Sequence, residues 1–170
     1  MPKDDFQLAE IAGNKYWTIG VESGSEKVRY DMKKKFTNED LDWSVNMLYK
    51  YHIQQTWLLI VGYPSETEQD FQDTKDLLTR YSHLAHNNSV RVQITPTFTL
   101  LGNSPLVTNP ELNHYYGLEN NHYNNSDKFW TSTKFTDNDY PTRSRRWKEL
   151  IKLVQDCGYN FGTGMPVQKW

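Results

Sequence analysis

Cysteine is nearly absent from this sequence of 170 residues, because Cys157 is the only one. A disulfide within the chain is therefore excluded, and one thiolate cannot hold an iron–sulfur cluster, which takes three or four. Chains without disulfides are typical of reducing compartments, so we expect a cytoplasmic protein. Cys157 ends an amphipathic pattern just before Gly158, which favours a structural thiol over a reactive one.

Long apolar runs are absent as well. The chain has no run of about 18 apolar residues, and its first five residues, Met-Pro-Lys-Asp-Asp, do not begin a signal-peptide pattern. We therefore expect neither a membrane span nor secretion. The formal net charge of -2 argues against general binding of nucleic acid or membrane surfaces. The basic run at 33–35 is a local exception, which we interpret as a solvated turn.

Aromatic residues are plentiful, at 14% of the chain, yet the mean hydropathy is -0.83. Together these values predict a core built from aromatic side chains and a long polar surface segment. That segment is 102–141, which is rich in Asn, Thr, Tyr and Asp and contains three prolines (Pro105, Pro110 and Pro141). We expect it to be irregular, with one short helix near 110–116, and to cover another part of the molecule or carry function.

Strand-like and helix-like segments alternate along the chain before this polar segment. Strands are predicted where β-branched and aromatic residues are dense, and helices where apolar residues recur every three or four positions. The predicted strands are 16–21, 53–61 and 89–95, and the predicted helices are 5–13, 37–52, 65–83 and 143–157. Short connections between these elements imply right-handed crossovers and a parallel sheet.

The predicted fold class is α/β, a partial TIM-type (β/α) barrel with parallel strands, because a full barrel needs about 250 residues. The predicted divisions are a half barrel at 1–106, an irregular polar and aromatic segment at 107–141, and a C-terminal helix and tail at 142–170.

Two details of the pattern make sharper predictions. The S-x-x-E form of a capping box at 65–68 places a helix start at Ser65. The apolar run at 57–61 is typical of a parallel strand covered on both faces.

A polar motif follows the first strand, with Glu22, Ser23, Gly24 and Ser25 in succession. Ligands of parallel α/β sheets bind at the carboxyl ends of the strands. A carboxylate and two hydroxyls can hydrogen-bond a ribose diol or an ammonium group, and Gly24 lets a ligand approach the backbone. The alternative is a turn that also caps the next helix, since Ser and Glu favour such places.

Three motifs recur in a known order along the chain. They are G-V-E-S-G-S at 20–25, M-K-K-K-F-T at 32–37, and G-Y-P-S-E-T-E at 62–68, with Asp70 and Phe71 after the last. In this order and spacing, residues 13–106 resemble the second half of the radical-SAM domain, in the branch of methylthiotransferases and cobalamin-dependent enzymes. I-T-P at 94–96 and G-N-S-P-L at 102–106 resemble the sixth strand of that family and its exit.

The resemblance implies that strands four to six of the barrel contact S-adenosylmethionine (SAM) and substrate. It assigns Glu22, Ser23 and Ser25, with Gly24, to the ribose or methionine part of SAM. The adenine side is assigned to Gly62, Tyr63 and Pro64, and the substrate cavity to Thr95 and Pro96. A 4Fe-4S cluster is the second implied cofactor. No residue of this chain is assigned a catalytic or metal-ligating role.

Two departures from the family limit this assignment. Ser65 stands where the family usually has Gly, so the local backbone can differ. The cluster-binding C-x-x-x-C-x-x-C loop belongs to the first β-α unit of the family, for which the chain has no counterpart. We therefore expect SAM and the cluster in a full-length parent only, with the N-terminal half of the barrel or a partner chain supplying the cysteines. The substrate is left open.

Other readings stay open at this point. The chain could be a non-catalytic βα scaffold that docks a partner through 102–141, or a sugar- or nucleotide-handling barrel with similar strand ends. A half barrel also exposes strand edges, which predicts self-association or poor solubility unless the long polar segment covers one edge.

The remaining polar candidates are interpreted as structural or surface groups. Histidines at helix ends or in loops, and arginines at a helix start, are more often solvated than ligating. These residues are His83, His86, His114, His122, Arg143, Arg145 and Arg146.

Overall fold

The structure is a computed structural model that describes residues 3–118 and 126–162. Its helices are α1 (Lys3–Ile11), α2 (Glu26–Asp31), α3 (Asn38–Lys50), α4 (Glu68–Arg80), α5 (Ser82–Ala85), α6 (Pro105–Thr108), α7 (Pro110–Tyr115) and α8 (Tyr140–Asp156). Its strands are β1 (Tyr16–Glu22), β2 (Gln54–Leu59), β3 (Val90–Ile94), β4 (Leu100–Leu101), β5 (Ser126–Asp127) and β6 (Asn160–Gly162). His122 and the tail after 162 lie outside the described residues.

The main sheet has four parallel strands in the order β1-β2-β3-β6. Strands β1, β2 and β3 therefore lie side by side in chain order, as in a (β/α) barrel, and β6 joins β3 after the separate β4–β5 pair. The predicted α/β class with parallel strands is confirmed, and the sheet is consistent with part of such a barrel. Strand β6 was not predicted, because three residues are too few to show a period. It joins the C-terminal segment to the same sheet as the first three strands.

The helices pack on one face of this sheet. Trp57, Leu59 and Val92 point into a core that also contains Phe71 of α4 and Leu150 of α8. Along β2, buried side chains alternate with half-buried ones. The prediction that β2 is covered on both faces is therefore wrong for the described part of the chain, since its second face meets none of these core helices.

Helix starts follow local capping chemistry. Thr37 caps α3 through a reciprocal pair with Asp40, as expected from its position. The predicted start of α4 at Ser65 is wrong, because Thr67 is the N-cap and pairs with Asp70. The Ser65 hydroxyl instead donates to Asp31 Oδ2 over 2.5 Å. The predicted helix 65–83 is in fact α4 followed by the short α5.

The polar segment is more ordered than its composition suggests. Helix α7 confirms the predicted short helix, while α6 and the antiparallel β4–β5 pair were not expected. Tyr116 and Trp130 of this segment, together with Leu100 just before it, pack with Val28 and Tyr63, which follow β1 and β2. We call this group the rim cluster. It places the polar segment over the carboxyl end of the sheet.

Burial separates the other candidates. His83 and His86 are exposed near helix ends, and Cys157 is half-buried, all as expected. Arg143 and Arg146 are completely buried, so their assignment to the surface is wrong, whereas Arg145 is exposed. None of the helices within the described ranges combines the length and apolar character that crossing a bilayer requires.

Candidate functional site

The first three strands of the sheet end side by side. The Ile60 amide donates to the Glu22 carbonyl over 2.9 Å, and the Thr95 amide donates to the Leu59 carbonyl over 3.0 Å. The backbones that follow β1, β2 and β3 are thus held together at one edge. We call this edge the rim, and it contains the start of every predicted binding motif.

Glu22 lies on the rim in an uncommon conformation. Its φ is 66°, and a break in register between Gly20 and Glu22 turns its side chain over Gly20. A Cβ on Gly20 would lie 2.5 Å from Glu22 Oε1, so the glycine leaves room for this carboxylate. Lys34 Nζ lies 2.9 Å from the same oxygen. Lys34 is therefore an ion-pair partner, although the run 33–35 was interpreted as a solvated turn.

Ser23, Gly24 and Ser25 turn toward helix α4. The Ser23 hydroxyl lies 3.1 Å from Thr74 Oγ1, and the Gly24 amide donates to the same oxygen over 2.9 Å. Ser25 caps α2, which confirms the turn-and-cap alternative for this motif. A Cβ on Gly24 would lie 2.5 Å from the Cα of Thr74, so close packing on α4 requires glycine here. A ligand role for these three residues stays a prediction.

Asp70 connects the loops that follow β1 and β2. It accepts hydrogen bonds from Ser25 Oγ over 2.6 Å, Lys27 Nζ over 2.8 Å and the Thr67 amide over 2.8 Å. Burial alone would raise the pKa of Asp70, but the hydrogen bonds from Lys27, Ser25 and Thr67 outweigh it and lower the pKa to about 2. Sequence reasoning gave this residue no role, although T-x-x-D at 67–70 is a capping pattern that could have indicated one.

Tyr63 belongs to the rim cluster rather than to open space. Its ring packs edge-on against Phe98 and Tyr116, with centroids 5.4 and 5.7 Å away, and its hydroxyl lies 3.3 Å from Tyr116 Oη. Burial raises the pKa of Tyr63. Pro64 beside it is buried as well. Gly62 has a φ of 86°, which favours glycine, and begins the tight turn that carries both residues.

Arg143 holds the rim cluster against the sheet. Its guanidinium lies 3.8 Å from the centroid of the Trp130 ring and donates to the carbonyls of Lys128 and Trp130 over 2.9 and 3.0 Å. Burial lowers the pKa of Arg143 to about 10, so it stays charged at neutral pH. A Cβ on Gly62 would lie 2.5 Å from Arg143 Cγ, so the arginine stem packs directly on the turn after β2.

Thr95 and Pro96 complete the rim after β3. Both are half-buried, and the Thr95 hydroxyl donates to the Leu59 carbonyl over 3.3 Å. The structure thus brings Glu22, Gly62 and Thr95 to the same edge of the sheet, while Ser23 and Ser25 direct their hydroxyls to α4.

Comparison with known proteins identifies the sequence that builds most of this rim. Residues 1–78 match the sequence model of the Radical SAM superfamily. These residues are a radical SAM segment. Two of the curated relatives are tRNA-2-methylthio-N(6)-dimethylallyladenosine synthases, from Petrotoga mobilis and Nitratiruptor sp.. Their names place them in the methylthiotransferase branch, so the radical SAM resemblance and its branch are confirmed.

The similarity is confined to part of each protein. The Petrotoga synthase is 37% identical over 71 residues, which are 41% of this chain and 16% of the relative. The Nitratiruptor synthase is 39% identical over 85 residues, which are 45% of this chain and 19% of the relative. A synthase of the same name from Legionella pneumophila is 34% identical over 74 residues, covering 42% and 16%. The chain thus spans less than a fifth of these relatives.

Radical SAM proteins use two cofactors, a 4Fe-4S cluster and SAM. The residues of this chain fit SAM but not the cluster. Residues 3–118 and 126–162 contain no group of three His, Cys, Asp or Glu side chains that could hold a metal ion. With one cysteine in the chain, a 4Fe-4S cluster does not fit here. A SAM molecule makes other demands, because its ammonium and ribose hydroxyls need oxygen acceptors. The Glu22 carboxylate is a group of that kind.

The second face of the sheet carries a row of polar side chains. Thr18, Thr56, Arg91 and Asn160 lie in one row across the four strands. Arg91, in the middle of this row, is exposed. The inside of a complete TIM barrel is usually packed with branched apolar side chains. This face is therefore suited to water or a polar ligand.

Proposed function

We propose that this chain is the C-terminal portion of a radical SAM catalytic domain, which contributes SAM and substrate contacts to reductive SAM cleavage and is inactive alone. The observation that carries the proposal is the rim itself, where Glu22, Gly62 and Thr95 follow three neighbouring parallel strands. The radical SAM match at 1–78 supports it.

One face of the sheet is not covered by the core helices, which supports the proposal that this chain is only part of a domain. Parallel sheets are almost always covered on both faces. Here the core helices cover one, and β1 lies at an end of the strand order. We propose that the N-terminal half of the barrel, or a partner chain, pairs with β1 and carries the cluster-binding cysteines.

We propose that different rim residues contact different parts of SAM. Glu22 would accept hydrogen bonds from the ribose diol or the ammonium of SAM, while Lys34, 2.9 Å from Glu22 Oε1, orients the carboxylate. Ser23, Gly24 and Ser25 would set the loop beside it, and the turn Gly62–Pro64 would line the adenine side. Bound SAM supplies a carbon–sulfur bond for reductive cleavage.

The substrate side of the rim is proposed separately. Thr95 and Pro96 follow β3 at the same edge and would face the substrate cavity. The relatives are named for synthesis of a 2-methylthio derivative of a modified adenosine in tRNA. This chain covers only a small part of those enzymes. We therefore propose no more about the substrate than that it fits against the open face of the sheet.

The test of this proposal measures SAM affinity. The genomic reading frame that contains this chain and its upstream sequence is expressed, and Glu22→Gln is compared with wild type by equilibrium dialysis. Loss of a charged hydrogen-bond acceptor should weaken SAM binding by at least about tenfold. Glu39→Gln, which changes an exposed carboxylate on α3, is the matched control. Equal affinity for wild type and Glu22→Gln would remove Glu22 from the site.

A second candidate is a non-catalytic scaffold that docks a partner through the polar segment. Phe129 and Tyr115 favour it, since each is more than half exposed on that segment. Genomic sequence separates the two candidates. A reading frame with C-x-x-x-C-x-x-C upstream of Met1 supports the enzyme, and a stop codon with a promoter there supports the scaffold.

A further inference from the structure

The turn Gly62–Pro64 is held from behind by residues far away in sequence. We infer that Glu66, Asn138 and Arg146 are positioning residues for this turn, so that helix α8 and the segment before it are part of the SAM site. The inference rests on the proposed function, and it extends the site beyond the residues 1–78 that match the superfamily.

The turn is closed by Glu66. The Gly62 amide donates to Glu66 Oε2 over 2.9 Å, and the Glu66 amide donates to the Tyr63 carbonyl over 2.8 Å. Glu66 is 3% exposed, so no bulk water competes for its oxygens. The carboxylate therefore fixes the backbone direction of Gly62, whose φ of 86° few other residues could adopt.

Arg146 fixes Glu66 in turn. Its Nη1 lies 3.2 Å from Glu66 Oε2 and donates to the Glu66 carbonyl over the same distance. Its Nε donates to Glu68 Oε2 over 3.1 Å. The Arg146 and Glu66 side chains are both buried, so each needs the other to avoid an unpaired internal charge.

Asn138 satisfies the rest of the turn. Its Nδ2 donates to the Tyr63 carbonyl over 2.7 Å and to the Pro64 carbonyl over 3.3 Å, and its Oδ1 lies 3.4 Å from Arg146 Nη1. The carbonyls of Tyr63, Pro64 and Glu66 thus all accept from Asn138 or Arg146. These hydrogen bonds hold the turn from its outer side, and its inner side faces the rim.

The residues that hold the turn also line a cavity of about 560 Å³, since Glu66, Asn138 and Arg146 all contribute to its wall. An ion pair that served stability alone would not need to converge, with Asn138, on the carbonyls of Tyr63, Pro64 and Glu66. The convergence is what a positioning role requires.

The charge environment supplies an independent readout. Burial raises the pKa of Glu66 to about 7, with Arg146 and the Gly62 amide opposing the shift and Asp70 adding to it. Glu66 is therefore expected to titrate near neutral pH, and the Gly62 amide resonance should follow it. A structural ion pair with no bond to Gly62 would leave that resonance unmoved.

The experiment compares two changes at Glu66 in the extended protein, the product of the reading frame that contains this chain and its upstream sequence. Glu66→Gln removes the charge but keeps an oxygen that accepts from the Gly62 amide, whereas Glu66→Ala removes both. Amide hydrogen exchange at Gly62 is measured by NMR, and affinity for S-adenosylhomocysteine by calorimetry. Glu66→Ala should raise Gly62 exchange and weaken the affinity by at least about tenfold each, with Glu66→Gln much nearer wild type.

Two further variants complete the test, one at Asn138 and one control at Glu149. Asn138→Ala removes hydrogen bonds to the turn without unpairing a charge and should loosen Gly62 in the same direction. Glu149→Ala, which changes an exposed carboxylate of α8, should have no effect on either measurement. Equal damage from Glu66→Gln and Glu66→Ala would overturn the inference, because it would mark a plain ion pair. If wild type binds no S-adenosylhomocysteine, the proposed SAM site fails, and Gly62 exchange still decides the inference.

Discussion

Asp70 joins the loops that follow β1 and β2 through a single carboxylate. Its carboxylate accepts from Ser25 and Lys27, which follow β1, and from Thr67, which follows β2. Both loops carry predicted ligand residues, so their separation depends on Asp70. A substitution of Asp70 should therefore disturb the loops at the rim more than it disturbs the sheet.

The lowered pKa of Asp70 predicts a pH dependence. The folded state holds this pKa at about 2, below the usual 3.8, so the ionised form stabilises the fold. That contribution is present above about pH 4 and is lost as the pH falls toward 2. We expect Asp70→Asn to lower the free energy of unfolding at pH 7 by about 1–2 kcal/mol, and to lose less than wild type on acidification.

Urea unfolding at pH 7, 4 and 3 measures this effect. Asp76→Asn, at an exposed position on α4, is the matched control and should resemble wild type at every pH. A constant difference between Asp70→Asn and wild type over this pH range would contradict the assigned pKa.

Some single residues of the site could be predicted, and others could not. Glu22 and Gly62 stand at strand ends in recognisable motifs, so their place on the rim followed from the pattern. The pairing of Glu22 with Lys34, and of Glu66 with Arg146, depends on how loops and helices meet in three dimensions. Local sequence carries no signal for such contacts.

At the scale of elements, helix α8 differs most from its prediction. Its apolar periodicity correctly indicated a helix, but its first turns carry two arginines, Arg143 and Arg146, that are completely buried. Arginine is rarely buried without partners. The partners of Arg143 are backbone carbonyls and a tryptophan ring in the segment 126–138, which has no sequence period, and those of Arg146 are Glu66 and Glu68. The burial of these arginines could therefore not be inferred from the sequence.

Removal of the Arg143 guanidinium should detach the rim cluster. Arg143→Met keeps much of the stem but leaves the Lys128 and Trp130 carbonyls without their donor. We expect the free energy of unfolding to fall by about 2–4 kcal/mol, as for other buried charged hydrogen bonds. Trp130 should also become more exposed to a fluorescence quencher.

The matched control for this change is Arg145→Met, since Arg145 is the exposed neighbour on the same helix. It should cost about 0–1 kcal/mol, as expected for a surface ion pair. If Arg143→Met were as mild as Arg145→Met, Arg143 would not anchor the cluster.

Strand β6 and the N-cap of α4 could not be predicted from the sequence either. Three residues cannot display the alternation that identifies a strand, and two overlapping capping patterns at 65–70 differ only in which hydroxyl finds a better partner. Ser65 binds Asp31 instead, so Thr67 caps the helix. The alternation of β1, β2 and β3 with helices was long enough to predict.

The whole sheet has an end strand, β1, whose second edge pairs with no strand among the described residues. Tyr16 on this strand is 68% exposed. The polar segment packs over the rim instead, through its own β4–β5 pair. An open parallel edge of this kind favours pairing with another chain.

We therefore predict that the isolated chain self-associates in a concentration-dependent way. Sedimentation velocity should show species larger than 20.1 kDa that dissociate on dilution. Tyr16→Lys, which places a charge on the edge strand, should shift the distribution toward monomer, whereas Tyr49→Lys on α3 should not. A single monomeric species at all concentrations would contradict the prediction.

The most direct test of the central claim is formation of 5′-deoxyadenosine. The reading frame that extends upstream of this chain is expressed, reconstituted anaerobically with iron and sulfide, reduced, and supplied with SAM. We predict 5′-deoxyadenosine from the extended protein and none from residues 1–170 alone. An extended protein that holds its cluster, is reduced and still forms no 5′-deoxyadenosine would contradict the account.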